Sequence, residues 1–194
     1  MRIGIITQPL TNNYGGILQN FALQRVLSNL GHEVYTIDYG RISWLDYIHN
    51  LLSYYRAGCL GNRPEDPIKF KSKQKGFREF IRKYIRTTMP RYRKIDWKMV
   101  NSLNLDYIIV GSDQVWRPSY NYDIGAMFLR DVSNDVRKIS YAASFGTDVW
   151  EFTNQQTKQC SKLLKDFEGV SVREEEAVGM CKKYLDCDAK WVLD

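Results

Sequence analysis

Asp113 is the one carboxylate in the loop Gly111-Ser112-Asp113-Gln114, which runs on into Val115 and Trp116 and follows an apolar stretch. A carboxylate at the end of a buried strand suits general-base work, such as holding or deprotonating a sugar hydroxyl. Its structural alternative is to cap a short helix. Two more loops share this polar and glycine-bearing character. The first, Thr7 to Gly16, holds Gln8, Asn12, Asn13, Tyr14, Gly15 and Gly16, with Gln19 just inside the helix that follows. The second is Ser144-Phe145-Gly146-Thr147. Arg173, after a further apolar stretch, adds a cation that suits a phosphate or carboxylate; its plainer role is a salt bridge to Glu174, Glu175 or Glu176.

Each of these residues has a second reading. Asn12 and Asn13 suit a turn or a helix cap. Gly15 and Gly16 suit close approach of a ligand or tight strand–helix packing. Trp116 can stack on a sugar ring or lie in the core, and Ser144 and Phe145 divide in the same way. Of Gln19 and Asn20, one should face the crevice.

Other chemistries are excluded. The first loop is not G-x-G-x-x-G and no G-K-[ST] occurs, so neither the dinucleotide fingerprint nor the P-loop is present. Cys59, Cys160, Cys181 and Cys187 form no C-x-x-C pair, and His32 and His49 are the two histidines. That pattern points to reduced thiols and to neither a zinc site nor a disulfide framework, so no metal is expected.

The elements that carry these loops follow from periodicity. Ile3 to Ile6 reads as a buried strand. Ile17, Leu18, Phe21, Ala22, Val26, Leu27 and Leu30 then repeat with helical spacing and predict a broad buried face. Glu33 to Tyr39 alternates as a second strand, which completes a βαβ unit and predicts a parallel sheet. Further strands are expected at Asp106 to Val110, Lys138 to Ala143, Gly169 to Val172, and from Ala189 to Leu193. Helices are expected at Ser43 to Arg56, Ile68 to Ile85 and Thr153 to Phe167, and a last one runs to Leu185. Thr153 with Gln156, and Ser171 with Glu174, have capping-box spacing. The fold class is therefore α/β, a Rossmann-like parallel sheet with helices on both faces. In such a sheet ligands bind outside the carboxyl ends of the strands, where all three loops converge.

The net charge of +6 is uneven. Between Arg63 and Lys98 stand thirteen Lys or Arg against four acids, so this stretch carries +9, while the rest, 15 basic against 18 acidic, carries −3. The whole chain, 1–194, reads as one lobe with a basic helical insert at about 41–104. The insert's aromatics are expected to bury against the sheet while its charges face water. It has no nucleic-acid recognition motif, so no nucleic acid is expected. An anionic membrane surface suits it better. No signal-peptide layout or long apolar run is present, so the expected location is cytoplasmic, at the inner face of the membrane through that insert.

The segments TQPLTNNYGGILQNFALQ, DYIIVGSDQVW and YAASFGTDVWEFT, with the later SVRE, resemble the polysaccharide pyruvyl transferase family across essentially the whole chain. The resemblance implies one lobe of a two-lobe enzyme similar to GT-B glycosyltransferases, with the active site between lobes. It implies transfer of a pyruvyl group from phosphoenolpyruvate, a co-substrate, to two hydroxyls of a sugar in a polysaccharide precursor, with no other cofactor. It also implies that the groups gripping phosphoenolpyruvate lie largely in a C-terminal lobe that this chain does not include, so 1–194 alone is expected to be nearly inactive. The partners so implied are a sugar or lipid-linked saccharide acceptor, phosphoenolpyruvate and the missing lobe. Open strand edges add self-association into a homo-oligomer. Two other readings stay open: a GT-B-like glycosyltransferase lobe using a nucleotide sugar, and a non-catalytic sugar- or anion-binding module.

Overall fold

β1 (Arg2–Ile6), β2 (Glu33–Thr36), β3 (Tyr107–Gly111), β4 (Arg137–Tyr141) and β5 (Phe167–Gly169) form one sheet in the order β2-β1-β3-β4-β5, every pair parallel. The structure is a computed structural model, and it describes residues 1–11, 13–40, 48, 52–54, 56, 67–88 and 94–194. The expected helix at Ser43 to Arg56 and the connection to Pro67 fall largely outside these residues.

Alternation along the strands assigns the two faces. Ile3, Ile5 and Ile109 point to one side, where Leu23 and Leu27 of α1 (Tyr14–Asn29) pack on them. Ile6, Ile108 and Val110 point to the other, into the larger core. That core is closed by α3 (Trp97–Asn101), α4 (Ile124–Met127), α5 (Asn154–Leu164) and α6 (Glu175–Leu185), which follow α2 (Pro67–Tyr84) in the chain. The layering is the expected α/β sandwich with helices on both faces.

The buried face of α1 differs from the expectation. Leu18, Val26 and Leu30 are 51%, 56% and 67% exposed, whereas Asn20 and Gln24 are buried. The cause lies at the sheet edge, where Thr36 of β2 bridges to Thr87. That contact brings backbone polar groups beneath the helix, and buried polar groups need partners. Gln24 Oε1 accepts from the Arg86 N–H at 2.7 Å, and its Nε2 donates to the Arg86 carbonyl at 3.0 Å. Asn20 Nδ2 donates to Thr36 Oγ1 at 2.9 Å. Polar side chains thus take the inner positions, and the apolar stripe Leu18–Ala22–Val26–Leu30 faces outward.

The basic helix α2 also packs differently. Its aromatics lie on α1 and not on the sheet: Phe77 meets Tyr14 at 4.5 Å and Phe80 meets Phe21 at 5.5 Å. Ile81 and Ile85 join Ile17 in the same small cluster. The Phe70 side chain lies outside the described part. Among the described residues no helix is long and apolar enough to cross a membrane.

Two further corrections concern the C-terminal third. The strand expected at Gly169 to Val172 is split: β5 continues the main sheet, and β6 (Ser171–Val172) pairs in parallel with β7 (Lys190–Trp191) as a separate ladder. The split follows a register shift between Lys138 and Ile139 of β4. The Thr153–Gln156 capping box forms with both of its bonds. The expected Ser171–Glu174 box does not: Ser171 lies in β6, where its hydroxyl donates to the Ser140 carbonyl at 2.9 Å and accepts from the Ala142 N–H at 3.1 Å.

Burial pushes the Cys160 and Cys181 thiols up to about 12. Both thiols therefore remain protonated at pH 8, and iodoacetamide is expected to label neither until denaturant is added, as peptide mass mapping would show. Gln24→Ala is expected to lower stability by about 1–3 kcal/mol by stranding the Arg86 backbone groups, while exposed Leu18→Ala shifts it by less than about 0.5 kcal/mol. Equal losses in urea melts would overturn the assignment of the two α1 faces.

Candidate functional site

From β1 the chain crosses to β2 on one side, then returns to place β3 on the other. The crossover connections therefore diverge between β1 and β3 and leave a crevice at their carboxyl ends, the favoured ligand position in an open parallel sheet. Two side chains meet across that crevice: Asn13 Nδ2 donates to Asp113 Oδ2 at 3.0 Å. Asn13 is the N-cap residue of α1, yet its side chain makes no capping bond. It is spent on Asp113 instead.

Asp113 is 8% exposed and its Oδ1 accepts from the Gln114 N–H at 2.8 Å. Its carboxylate lies against the first turn of α1, where unpaired N–H groups favour negative charge. A Cβ on Gly16 would stand 2.7 Å from Asp113 Oδ2, so only glycine lets helix and carboxylate approach this closely. The anion at this helix terminus is thus the chain's own. No helix starts directly at Asp113: its carbonyl accepts from the Val115 N–H at 2.7 Å and holds a turn, and the short 3-10 helix that follows at Pro118–Tyr120 has Arg117 as its N-cap, so the helix-cap alternative does not apply.

Backbone bonds tie this loop to the next. The Ser144 N–H donates to the Asp113 carbonyl, and the Trp116 N–H donates to the Ser144 carbonyl, both at 3.1 Å. Ser144 Oγ donates to Glu174 Oε1 at 2.6 Å, and that oxygen also accepts from Arg173 Nε at 3.1 Å. Arg173 reaches on to Asp194 Oδ2 at 3.1 Å, and Gln19 Nε2 donates to the same oxygen. The run Asn13–Asp113–Ser144–Glu174–Arg173–Asp194–Gln19 therefore starts at the N-cap of α1, ends on α1 and passes the ends of β3, β4, β6 and β7. Glu174 Oε2 is buried, with no hydrogen-bond partner among the described residues.

The sequence-derived residues separate by access. Asn13, Tyr14 and Gly15 are exposed, and Gln19, Gln114 and Arg173 are half-buried. Gly16, Gly111, Ser112 and Ser144 are buried. Asn12 lies outside the described residues. Trp116 is fully buried, stacked on Phe128 at 4.8 Å, with Nε1 donating to the Met127 carbonyl at 3.2 Å. Phe145 is 2% exposed and packs beside it at 5.6 Å. Neither ring reaches a ligand surface, because both complete the larger core. Arg173 takes its salt-bridge role, with Glu174 and Asp194 as partners. Of Gln19 and Asn20, Gln19 faces this edge.

Sequence reasoning did not assign Glu174 and Asp194 to the site. Glu174 had a signal, since it follows Arg173 directly after a strand; Asp194 had none. The run carries three carboxylates against one guanidinium, so it is net negative. Such a surface suits a neutral polyhydroxyl ligand and repels phosphate. Tyr39 donates to the Thr7 carbonyl at 2.8 Å, and burial together with the Asp113 charge holds its phenol well above the ordinary range. Among the described residues no three His, Cys, Asp or Glu side chains group as metal ligands.

The family model for polysaccharide pyruvyl transferase matches residues 13–194. No curated protein sequence matches the chain. Among solved structures the chain is similar to an alpha-glucosyltransferase in complex with UDP and a 13-mer DNA containing an HMU base, at 12% identity and a TM-score of 0.47, covering 98% of this chain and 41% of that one. It is also similar to an alpha-glucosyltransferase in complex with UDP, at 10% identity and a TM-score of 0.44, covering 96% and 39%. The chain thus spans 41% or less of the length of these two proteins.

Gly111 has φ +119, and a Cβ there would overlap the Tyr141 carbonyl oxygen. Gly111→Ala is expected to cost about 3 kcal/mol or more. Gly76, inside α2 with open space where a Cβ would go, gives the contrast: Gly76→Ala is expected to gain about 0.5–1 kcal/mol. Denaturation midpoints of the two variants check both signs.

Proposed function

The chain belongs to the polysaccharide pyruvyl transferase family, and we propose that it supplies the acceptor-binding lobe of an enzyme that moves a pyruvyl group from phosphoenolpyruvate to two hydroxyls of one sugar. The observation that carries this reading is the Asn13–Asp113 pair across the β1–β3 crevice. It places an oriented carboxylate at the ligand edge of the sheet, in net negative surroundings that suit a hydroxyl-bearing acceptor.

Ketal formation on phosphoenolpyruvate turns the methylene carbon into a methyl group by protonation and makes two carbon–oxygen bonds to the sugar while phosphate leaves. Two hydroxyl protons are lost: one balances the new methyl proton, and the other departs with phosphate. Asp113 is the base that takes a proton from an acceptor hydroxyl, and Asn13 fixes the orientation of that carboxylate. The donor's phosphate and carboxylate need cations. Arg173 is committed to Glu174 and Asp194, so in this reading the donor's cationic partners come from a second lobe facing this edge. Residues 1–194 alone then have little activity. The acceptor is a sugar or a lipid-linked saccharide precursor, and the basic helix α2 favours an anionic surface at the inner face of the membrane.

The test is phosphate release from phosphoenolpyruvate by the full-length protein in the presence of glycan acceptors. Asp113→Asn is expected to lower kcat by about 10²-fold or more. Release only from nucleotide sugars, or a wild-type rate in Asp113→Asn, would sink the proposal.

A further inference from the structure

A cavity of about 330 Å³ opens at the same carboxyl edge, beyond the Gln114 turn from Asp113. Gln8 and Pro9 after β1, and Tyr39 and Gly40 after β2, form one wall; residues 120–123, 126, 127, 130 and 131 form much of the rest. Its size lies at the low end of small-molecule sites.

The polar groups are held in place by the fold. Gln8 Nε2 donates to the Gln114 carbonyl at 2.9 Å and to Asn121 Oδ1 at 3.4 Å. Asn121 Nδ2 donates to the carbonyls of Val115 and Arg117 at 3.0 and 2.8 Å. Arg130 forms two bonds to Asp123 and two to Asp131. Lys94 sits over the Tyr122 ring at 4.9 Å. The lining holds two cations and two carboxylates, both carboxylates bonded to Arg130, so it is formally neutral and gives an anion no net attraction. Tyr120 and Tyr122 also line the cavity and are 58% and 90% exposed. Large aromatic rings left in water beside fixed amides and carboxylates match a ring-shaped polyol, whose C–H face lies on an aromatic ring while its hydroxyls meet planar polar groups.

We infer that this cavity is a pyranose-binding subsite for the acceptor glycan, with Tyr120 and Tyr122 as stacking surfaces and Gln8, Asn121, Asp123 and Arg130 as hydroxyl partners. The inference rests on the acceptor-lobe reading for its biological role, but sugar binding here needs no donor. It also gives the glycan a path from the cavity, past Gln114, to Asp113.

Saturation-transfer NMR on the full-length protein with the methyl β-pyranosides of galactose, glucose and mannose tests it. At least one sugar is expected to receive saturation at its ring C–H protons. Tyr122→Ala, at an exposed position, is expected to weaken binding roughly 2- to 10-fold; Tyr122→Phe keeps it, and Tyr84→Ala on α2 leaves it unchanged. No transfer to any of the three sugars, an undiminished signal in Tyr122→Ala, or displacement by inorganic phosphate overturns the inference. Phosphate release from phosphoenolpyruvate with an unchanged acceptor KM in Tyr122→Ala removes the subsite and leaves the proposed activity standing. Sugar binding that depends on Tyr122 in a protein without phosphate release does the reverse.

Discussion

The parallel pairing of β1 with β3, Ile3 opposite Tyr107 through to Ile6 opposite Val110, is the constraint on which the rest of the carboxyl edge depends. It sets side by side two strands separated by about a hundred residues, and the loops leaving them then have one crevice to share. Asn13 and Asp113 meet there because the register ends both strands at the same height. Gly111 permits the approach to β4 that follows, since a side chain at that φ would meet the Tyr141 carbonyl. Ser144 can then hang from the Asp113 carbonyl, and Glu174, Arg173 and Asp194 follow in turn.

A second constraint acts at the other edge of the sheet. β2 is the last strand of the ladder, and an exposed strand edge leaves backbone groups without partners. The segment at Arg86 to Thr88 bridges to it, and the amides of Asn20 and Gln24 seal the joint from above. Polar side chains inside α1 follow from that need, as does the outward apolar stripe. The aromatics of α2 then cover part of α1, and among the described residues α1 is the helix that packs on that sheet face.

Two zones of different charge result at the carboxyl edge. The run from Asn13 to Gln19 is net negative and built around carboxylates, while the cavity bounded by Gln8, Tyr122 and Arg130 is neutral and walled by aromatics and amides. The Gln114 turn separates them, and Gln8 bonds to its carbonyl. The first zone is thus unfavourable to an anion, and the second has no net charge to attract one.

Strand positions, the parallel sheet, the Thr153 capping box and the three converging loops were legible in the sequence, because each depends on near neighbours: alternation, helical period and cap spacing act over a few residues. The polar loops also marked Asp113 and Asn13 without any structure. What could not be read were the partners. Leu18 leaves its expected buried place and Gln24 is buried because a segment some sixty residues away supplies buried backbone groups. Ser171 leaves its expected capping role because β6 pairs with β7, and Trp116 and Phe145 turn inward because Phe128 and Phe152 complete their cluster. The sequence by itself determined the elements and the polar character of the crevice. The tertiary structure decided which side chain each polar group satisfies, since burial and hydrogen bonding are settled between segments and not within them.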